Sequence, residues 1–290
     1  MEAIYNYFET IPPAHRSIIL VSGIAFFWIL EFIIPLFQLQ YNKLRHAGIN
    51  IFFTLTTILV NFPLAFLLLK TSDWALANNF GVLQWLPVMP LWIKVLLGVM
   101  MLDFFSAWLA HWVEHKVKLL WGFHLVHHTD HEVDTTTANR HHPVESVVRF
   151  VFTCFGTFVV GAPVAIIMIY QALSVVLSQF NHANIALPKR LDDVLSWVIV
   201  SPDMHKVHHH NVLPYTDTNY GNLFSVWDRL FGTFAKMENE KIVYGVDTYP
   251  DEVENSNIGK LLAIPFHKNR RPTTDIPTLG GKKEEMGSAG

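Results

Sequence analysis

The sequence has almost no cysteine and little charge. Cys154 is the only cysteine among 290 residues. This excludes an intrachain disulfide and any iron–sulfur or zinc site built on several cysteines. Charged residues make up 16% of the chain, the formal net charge is −3, and Lys and Arg form no stripe. Nucleic acid is therefore excluded as an expected partner, because a basic surface is what binds its phosphates.

Long apolar segments dominate instead. Hydrophobic residues make up 51% of the chain, with 22 Phe, 9 Trp and a mean hydropathy of +0.29. This composition is typical of an integral membrane protein. A spanning helix needs about 20 apolar residues, and three segments qualify: residues 17–39, 49–69 and 88–110. The first lacks a basic region before it and a cleavage site after it, so we interpret it as a retained helix, not a signal peptide.

Residues 147–178 form a fourth apolar segment, which is too long for one crossing. It has a break at Gly161, Ala162 and Pro163. The first arm, residues 147–160, would be about 21 Å long at about 1.5 Å per residue, whereas a hydrocarbon core is about 30 Å thick. We therefore expect a helical hairpin that enters and leaves the membrane on the same side.

Histidine is concentrated in three short groups. The chain has 16 histidines, and the groups read HWVEH at 111–115, HLVHH at 124–128 and HKVHH at 205–209. Residues three and four apart share a helix face, so each group presents its imidazoles together. Solvated histidines or a low-complexity run at 208–210 would not account for three such groups. Neutral imidazole binds zinc, copper, iron and nickel, and this many ligands indicates two ions.

The positions of Lys and Arg indicate which side the groups face. A shared centre requires an even number of crossings between the second and third groups, which agrees with the hairpin. Basic loops stay cytoplasmic, and residues 71–87 contain no Lys or Arg. Basic residues instead flank the histidine groups and lie in the first loop. They are Lys43, Arg45, Lys116, Lys118, Arg140 and Arg149. We therefore expect the histidine groups to face the cytoplasm.

These observations predict an all-α protein of polytopic membrane helices, three spans plus a helical hairpin, with a cytoplasmic helical cap that carries the histidines. The cap comprises residues 111–146 and 179–235. Residues 1–235 are expected to form a single membrane-embedded domain. Residues 236–290 are a polar C-terminal extension, whose last ten residues (GKKEEMGSAG) are expected to be disordered.

Several motifs, taken in order, resemble the fatty acid hydroxylase/sterol desaturase superfamily. They are HWVEH, HLVHH, RHHPVE, NHAN around His182, SPDMHKVHHH and NYGNLFSVWDRLFGTF. The resemblance covers residues 95–235. It implies a membrane enzyme with a non-haem centre of two iron ions, which uses O2 to hydroxylate or desaturate a C–H bond of a lipid. Zinc is a possible substitute for iron in a preparation.

The resemblance also extends the set of metal ligands. His142 lies in the RHHP motif, where either ligation or orientation fits and where His141 competes for the role. Some members carry a second histidine four residues after the position of His182, but this chain has Ala186 there. Carried over position by position, the implied ligands are His111, His115, His124, His127, His128, His142, His182, His205, His208 and His209.

Metal-bound histidines usually donate their second N–H to a carboxylate or carbonyl. Asp103 is a notable candidate because it lies inside an apolar span, where a carboxylate usually marks a polar interior or a functional site. The alternative is an ion pair with Arg149 or Lys94. The candidates for contact with a ligand are Asp103, Glu114, Asp130, Glu145, Asp203 and Asn184.

Arg140 precedes the two histidines of the RHHP motif. We expect it to pair with a carboxylate such as Glu145, the alternative being a substrate head group. The final motif, which includes Tyr220 and Asp228, is expected to pack the cap beneath the metal site.

Reduction of O2 requires electrons from outside this chain. The sequence has no flavin or nicotinamide glycine fingerprint and no ferredoxin cysteine set. We therefore expect an external electron donor, which could be a cytochrome, a ferredoxin or a reductase.

Two other functions stay open. HWVEH fits the zinc-hydrolase pattern H-x-x-E-H, with Glu114 as the base, although a hydrolase leaves the other histidine groups unexplained. A histidine-rich metal transporter or carrier is the second. Transporters place their sites near the middle of the bilayer, whereas these groups lie just beyond the apolar segments.

Overall fold

The computed structural model describes residues 1–38 and 40–267. This part of the chain contains helices and isolated backbone bridges but no β-strand, which confirms the predicted all-α class. The helices are α1 (Glu2–Glu9), α2 (Pro13–Ile33), α3 (Lys43–Ala77), α4 (Val82–Trp85), α5 (Leu91–Asp103), α6 (Leu109–Lys116), α7 (Lys118–His128), α8 (Pro143–Val160), α9 (Val164–His182), α10 (Lys189–Leu195), α11 (Pro202–His208), α12 (Val226–Leu230), α13 (Glu252–Asn255) and α14 (Ile258–Ala263). A π-helical turn, Phe104–Trp108, joins α5 to α6, and Thr135–Asn139 forms a 3-10 turn.

Among the described residues, five helical segments are long and apolar enough to cross a membrane. They make the chain a multi-pass membrane protein. Three of them overlap the predicted spans, and two are the arms of the predicted hairpin. The number of crossings made by the arms stays a prediction. The segments are Pro13–Ile33, Lys43–Trp85, Leu91–Lys116, Pro143–Val160 and Val164–His182.

The first span ends earlier than residue 39. Helix α2 stops at Ile33 because Pro35 has no amide hydrogen to donate and disfavours helical geometry at the residue before it. The chain then pairs with the loop that follows α9. The Leu36 amide donates to the Asn184 carbonyl at 3.1 Å, and the Ala186 amide donates to the Ile34 carbonyl at 2.8 Å. This pairing ties the first membrane helix to the end of the hairpin.

Helix α3 is longer than the predicted span 49–69 at both ends. It has 35 residues, so its length is about 52 Å at about 1.5 Å per residue, well beyond a hydrocarbon core. Asn42 caps its first turn by accepting from the Arg45 amide at 3.0 Å. Its first turns therefore extend into the cap, where the Asn50 side chain donates to Thr136 Oγ1 at 2.9 Å.

The two arms α8 and α9 meet at the predicted break. Gly161 ends α8 with φ of 64°, a left-handed conformation that glycine adopts without strain. A side chain could not fit there, since a Cβ atom would lie 2.3 Å from the Phe80 carbonyl oxygen. Pro143 starts α8 earlier than expected, so the first arm has 18 residues and a length of about 27 Å.

The described part of the C-terminal extension packs against the cap. Tyr249, Leu261 and Ile264 are buried together with Phe53 of α3 and Val126 of α7. Residues 236–267 therefore supply apolar core in addition to polar surface. The predicted disorder of the last ten residues lies outside the described residues.

Candidate metal centre

Four helices bring their histidines into one buried region of the cap. They are α6, α7, α9 and α11, with His209 immediately after α11. None of the nine side chains is more than 9% exposed. They form two groups, in each of which the ligand nitrogens lie within 4.8 Å of one another. The five-histidine group is His111, His115, His124, His128 and His208, and the four-histidine group is His127, His182, His205 and His209.

The two groups are interleaved along the sequence. In HLVHH, His124 and His128 join the five-histidine group while His127 joins the other. HKVHH does the reverse, since His205 and His209 belong to the four-histidine group and His208 to the five-histidine group. On a helix, residue i+4 lies about 40° from residue i and residue i+3 about 60° to the other side. Each HxxHH motif therefore points two imidazoles at one site and one at its neighbour.

Backbone carbonyls fix the orientation of several rings. The Nδ1 atoms of His111, His182 and His208 lie 2.9, 2.7 and 2.6 Å from the carbonyl oxygens of Tyr220, Ser178 and Thr218. A carbonyl oxygen can only accept, so each Nδ1 carries the hydrogen and each Nε2 is left as a free lone pair. Sequence reasoning could not find these three partners, because every residue has a carbonyl group.

The remaining nitrogens show that the groups fit metal ions. Nε2 of His124 lies 3.0 Å from Nε2 of His111, and Nε2 of His182 lies 3.1 Å from Nε2 of both His127 and His205. Where both nitrogens are unprotonated, they cannot hydrogen-bond each other. Both ring nitrogens of His209 also lack a partner among the described residues. Buried polar atoms without partners are costly, and a cation at the centre of each group would satisfy them.

The histidines of the two groups on α7 and α11, together with His209, are held neutral. Burial, followed by the neighbouring imidazoles, holds the pKa of His127, His128, His205 and His208 well below its usual range. Burial lowers the pKa of His209 to about 3. Neutral imidazole is the form that binds a metal, so these side chains are ready to act as ligands at neutral pH.

Metal-free protein is expected to lose stability when the pH falls from about 7 to about 5.5. In this range the unfolded chain protonates its histidines, whose ordinary pKa is about 6.5, while the buried ones stay neutral. Because the unfolded state then binds more protons, the free energy of unfolding falls by up to ~1.4 kcal/mol per histidine per pH unit. The thermal midpoint of unfolding, measured in detergent with a chelator, should fall over this pH range. A midpoint that stays constant or rises on acidification contradicts it.

Glu145 connects the metal site to the membrane helices. Its Oε1 atom accepts from Nδ1 of His124 and Nδ1 of His141, both at 2.8 Å, and from Nε of Arg149 at 3.0 Å. Arg149 also pairs with Glu114 at 2.8 Å. Glu145 therefore contacts a histidine of the five-histidine group, His124. Glu114 lies 3.9 Å from the same His124 nitrogen and is neutralised by Arg149.

His115 has a carboxylate partner that the sequence did not indicate. Its Nδ1 lies 3.1 Å from Oδ1 of Asp217, which also pairs with Lys116 at 2.6 Å. Asp217 follows the histidine motif by eight residues, on a short 3-10 turn. Only the fold of residues 210–220 brings it back to α6.

His142 does not join either group. Pro143 starts α8 at the next residue, so the His142 side chain turns back and accepts from the Val144 amide at 3.1 Å. Its neighbour His141 is closer to the site. The His141 ring stacks on that of His127 with centroids 4.9 Å apart, and it shares Glu145 with His124. The structure therefore favours His141 over His142 for any role at the centre.

Asp103 does not contact a histidine, and it forms no ion pair with Arg149 or Lys94. It accepts from the amides of Leu223 and Phe224, both at 3.1 Å, and from Trp227 Nε1 at 3.0 Å. Its three donors all belong to residues 223–227, which pack against the end of α5. Asp103 instead anchors the last family-like motif to the membrane helix.

Three other expected contacts are absent among the described residues. Asn184 binds the Phe37 backbone at both nitrogen and oxygen instead of a histidine. Asp203 accepts from Asn239 Nδ2 at 3.0 Å. Arg140 donates to the carbonyls of Val126 at 3.0 Å and Asn255 at 2.7 Å, and does not pair with Glu145. Each side chain instead joins neighbouring segments of the chain.

Asp130 supports the loop after HLVHH through a histidine that sequence reasoning missed. His46 of α3 is buried, and its Nε2 lies 2.9 Å from both oxygens of Asp130. Its Nδ1 lies 3.3 Å from Asp134. The sequence could have indicated His46, because it is a histidine near the start of an apolar helix.

Asp228 holds the backbone that orients His111. It accepts from the amides of Tyr220 and Gly221, each at 2.9 Å, and from Trp108 Nε1 at 3.0 Å. These bonds fix the Tyr220 carbonyl that accepts from His111. The final motif thus packs beneath the five-histidine group and positions one of its histidines.

The fatty acid hydroxylase family model matches residues 95–233. This range contains every histidine of the two groups. Residues 95–233, just under half of the chain, are similar to the fatty acid hydroxylase family. The family's match ends just after α12, so the helices before α5 and the packed C-terminal extension lie outside it.

Curated relatives within the family include lipid hydroxylases and monooxygenases. Ornithine lipid hydroxylase from Rhizobium tropici is 25% identical over 68% of this chain and 56% of its own length. Human alkylglycerol monooxygenase is 28% identical over 61% of this chain and 36% of its own length, and the Xenopus tropicalis protein is 30% identical over 55% and 33%. The chain thus spans about half or less of these relatives. No solved structure gives a significant match.

Proposed function

We propose that the protein is a membrane-bound oxygenase that holds two iron ions and uses O2 to hydroxylate or desaturate a C–H bond of a lipid. The observation that carries this proposal is the convergence of two interleaved groups of buried histidines next to apolar helices. The names of the curated relatives, an ornithine lipid hydroxylase and alkylglycerol monooxygenases, support the lipid as substrate.

The donor atoms suit iron. Imidazole nitrogens bind iron, zinc and other divalent metals, so zinc could replace iron in a preparation. When bound, iron would supply the redox chemistry that activates O2 against an unactivated C–H bond. The protein also fixes which ring nitrogen carries the hydrogen in three of these histidines. The carbonyls of Tyr220, Thr218 and Ser178 keep hydrogen on Nδ1, so that Nε2 is free to bind.

Burial of the centre is part of the proposed chemistry. His124, His128 and His208 are fully buried, which keeps bulk water away from a reactive site. Glu145 holds a negative charge against Nδ1 of His124, which makes that imidazole a stronger donor to the metal. The proposed role of Glu145 is therefore positioning and electronic tuning.

Electrons must come from another protein under this proposal. We place the histidine groups on the cytoplasmic face because Lys and Arg flank them, and the donor, a cytochrome, ferredoxin or reductase, would dock there. The lipid would reach the centre from the bilayer. Residues 1–235 would act as one membrane-embedded catalytic unit.

The two alternative functions fit the contacts less well. A zinc hydrolase would need Glu114 free to activate water, but Glu114 is paired with Arg149 at 2.8 Å. A carrier must release its ion, whereas these ligands are buried and held by hydrogen bonds to fixed backbone carbonyls. A resident metal centre agrees with both observations.

Lipid analysis tests the proposal. Cells that produce the wild-type protein should accumulate a lipid with one oxygen more or two hydrogens fewer, and His127→Ala should abolish this change. His15→Ala alters an exposed histidine outside both groups and serves as the control. With purified protein loaded with iron(III), O2 and that lipid, we expect product only after a reductant or donor supplies two electrons. Turnover with no reductant would exclude the oxygenase.

A further inference from the structure

A groove between α3 and α8 lies away from the histidine groups. Its cavity volume is about 530 Å³, and it is lined by Leu64, Leu67 and Trp74 of α3 and Val151, Cys154 and Phe158 of α8. Lys70 is the only charged residue in its wall. The stacked rings of Trp74 and Phe158, with centroids 5.4 Å apart, bound one end.

The groove opens on the outer side of α8. Val151 is 59% exposed and Phe158 is 36% exposed, although both are apolar. The opposite side of the same helix carries Glu145, which bonds His124, and Gly156, which packs against the π-helical turn. An occupant of the groove is therefore separate from the metal centre and from any lipid that reacts there.

Both walls belong to segments long and apolar enough to cross a membrane. The medium around such helices is lipid, so an apolar groove between them is filled by hydrocarbon chain. Its volume of about 530 Å³ suits one acyl chain better than a helix, which with its side chains is about 10 Å wide. The other feature of the wall is the positive charge of Lys70.

Lys70 lies at the depth of a phosphate layer. Asn50 contacts the cap through Thr136, and Lys70 follows it by about 30 Å along α3 at about 1.5 Å per residue, which is one hydrocarbon thickness. The Lys70 ammonium lies 5.3 Å from the Phe66 ring centroid, and no carboxylate of the described residues pairs with it. A cation at this depth attracts anionic head groups.

We propose that this groove binds one acyl chain of an anionic phospholipid from the leaflet opposite the metal centre, with the lipid phosphate on Lys70. The lipid packs between α3 and α8 and is not a substrate. This site does not depend on iron or on the proposed reaction.

Cys154 allows a direct test, because it is the only cysteine and it lines the groove. A small fluorophore on Cys154 is quenched by lipids with brominated acyl chains. In vesicles, brominated phosphatidylglycerol should occupy the groove with about fivefold preference over brominated phosphatidylcholine, the effect of one cation near an anionic head group. Lys70→Gln should remove the preference while quenching by both lipids persists.

Lys94→Gln is the matched control. Lys94 lies in the first turn of α5, at the same membrane face as the end of α3, but outside the groove. We expect it to keep the preference. Equal quenching by the two lipids in wild type, or a preference that survives Lys70→Gln, overturns the proposal.

Native mass spectrometry of unlabelled protein checks that the fluorophore does not itself block the groove. Wild type and Lys94→Gln should retain phosphatidylglycerol, and Lys70→Gln should retain less. Equal retention by all three proteins would overturn the assignment to Lys70.

Discussion

Alanine substitution of His208, His209 and His210, one at a time, is expected to give three different results. His208 belongs to the five-histidine group and His209 to the four-histidine group, although they are adjacent. His208→Ala leaves four histidines around its ion, whereas His209→Ala leaves three. We expect His209→Ala to lose one of about two irons per chain and His208→Ala to retain both more weakly. Activity should fall by about 100-fold or more in each.

His210 provides the control within the same run. It lies in neither group, and its Nδ1 accepts from the Val243 amide at 3.1 Å. His210→Ala should keep both metal ions and most of the activity. Iron content by elemental analysis, product formation and elution as a single species in detergent are the measurements. Loss of metal from His210→Ala, or equal metal loss from His208→Ala and His209→Ala, would contradict the interleaved arrangement.

Glu145→Gln is expected to lower metal affinity and activity by about 10-fold to 100-fold. Glutamine has the same shape but no charge, so its carbonyl oxygen would accept more weakly than the carboxylate Oε1 that serves His124, His141 and Arg149. The hydrogen on Nδ1 of His124 would be held less strongly. Competition with a chelator measures the affinity, and initial rates at saturating lipid measure the activity.

Glu114→Gln is the matched variant for this experiment. Glu114 is equally buried and pairs with the same arginine, but it is 3.9 Å from His124 Nδ1 rather than 2.8 Å. We expect it to lower the thermal midpoint while changing metal affinity by much less than Glu145→Gln does. If both variants lose metal to the same extent, the effect comes from Arg149 and the buried charges in general, and the positioning role of Glu145 is wrong.

Local sequence rules predicted the helical elements better than their ends. Apolar length indicated the membrane helices, and Gly161 marked the turn between the hairpin arms. The first span was predicted too long because apolar composition continues past Pro35, although the helix does not. The start of α3 was missed because its polar first turns pack against the cap, which hydropathy does not report.

The spacing of HxxHH predicted that the imidazoles of each motif cluster together, but the structure divides each motif between the two groups. Glu145 was predicted near a histidine of the site, and it contacts His124 of a different helix. The sequence did not distinguish His141 from His142, because the start of α8 at Pro143 decides which one turns toward the centre. The partners of Asp103 were not predictable, because the Leu223 and Phe224 amides and Trp227 are brought to it only by folding.

The sequence by itself determined that this protein is helical, that it enters a membrane and that its histidines are spaced to bind metal, because these properties depend on composition and on residues within one or two helical turns. Only the tertiary structure decided how the histidines divide into two groups and which oxygen atoms orient them. Those contacts join helices far apart in sequence, and several use backbone carbonyls, which every residue possesses and which only folding selects.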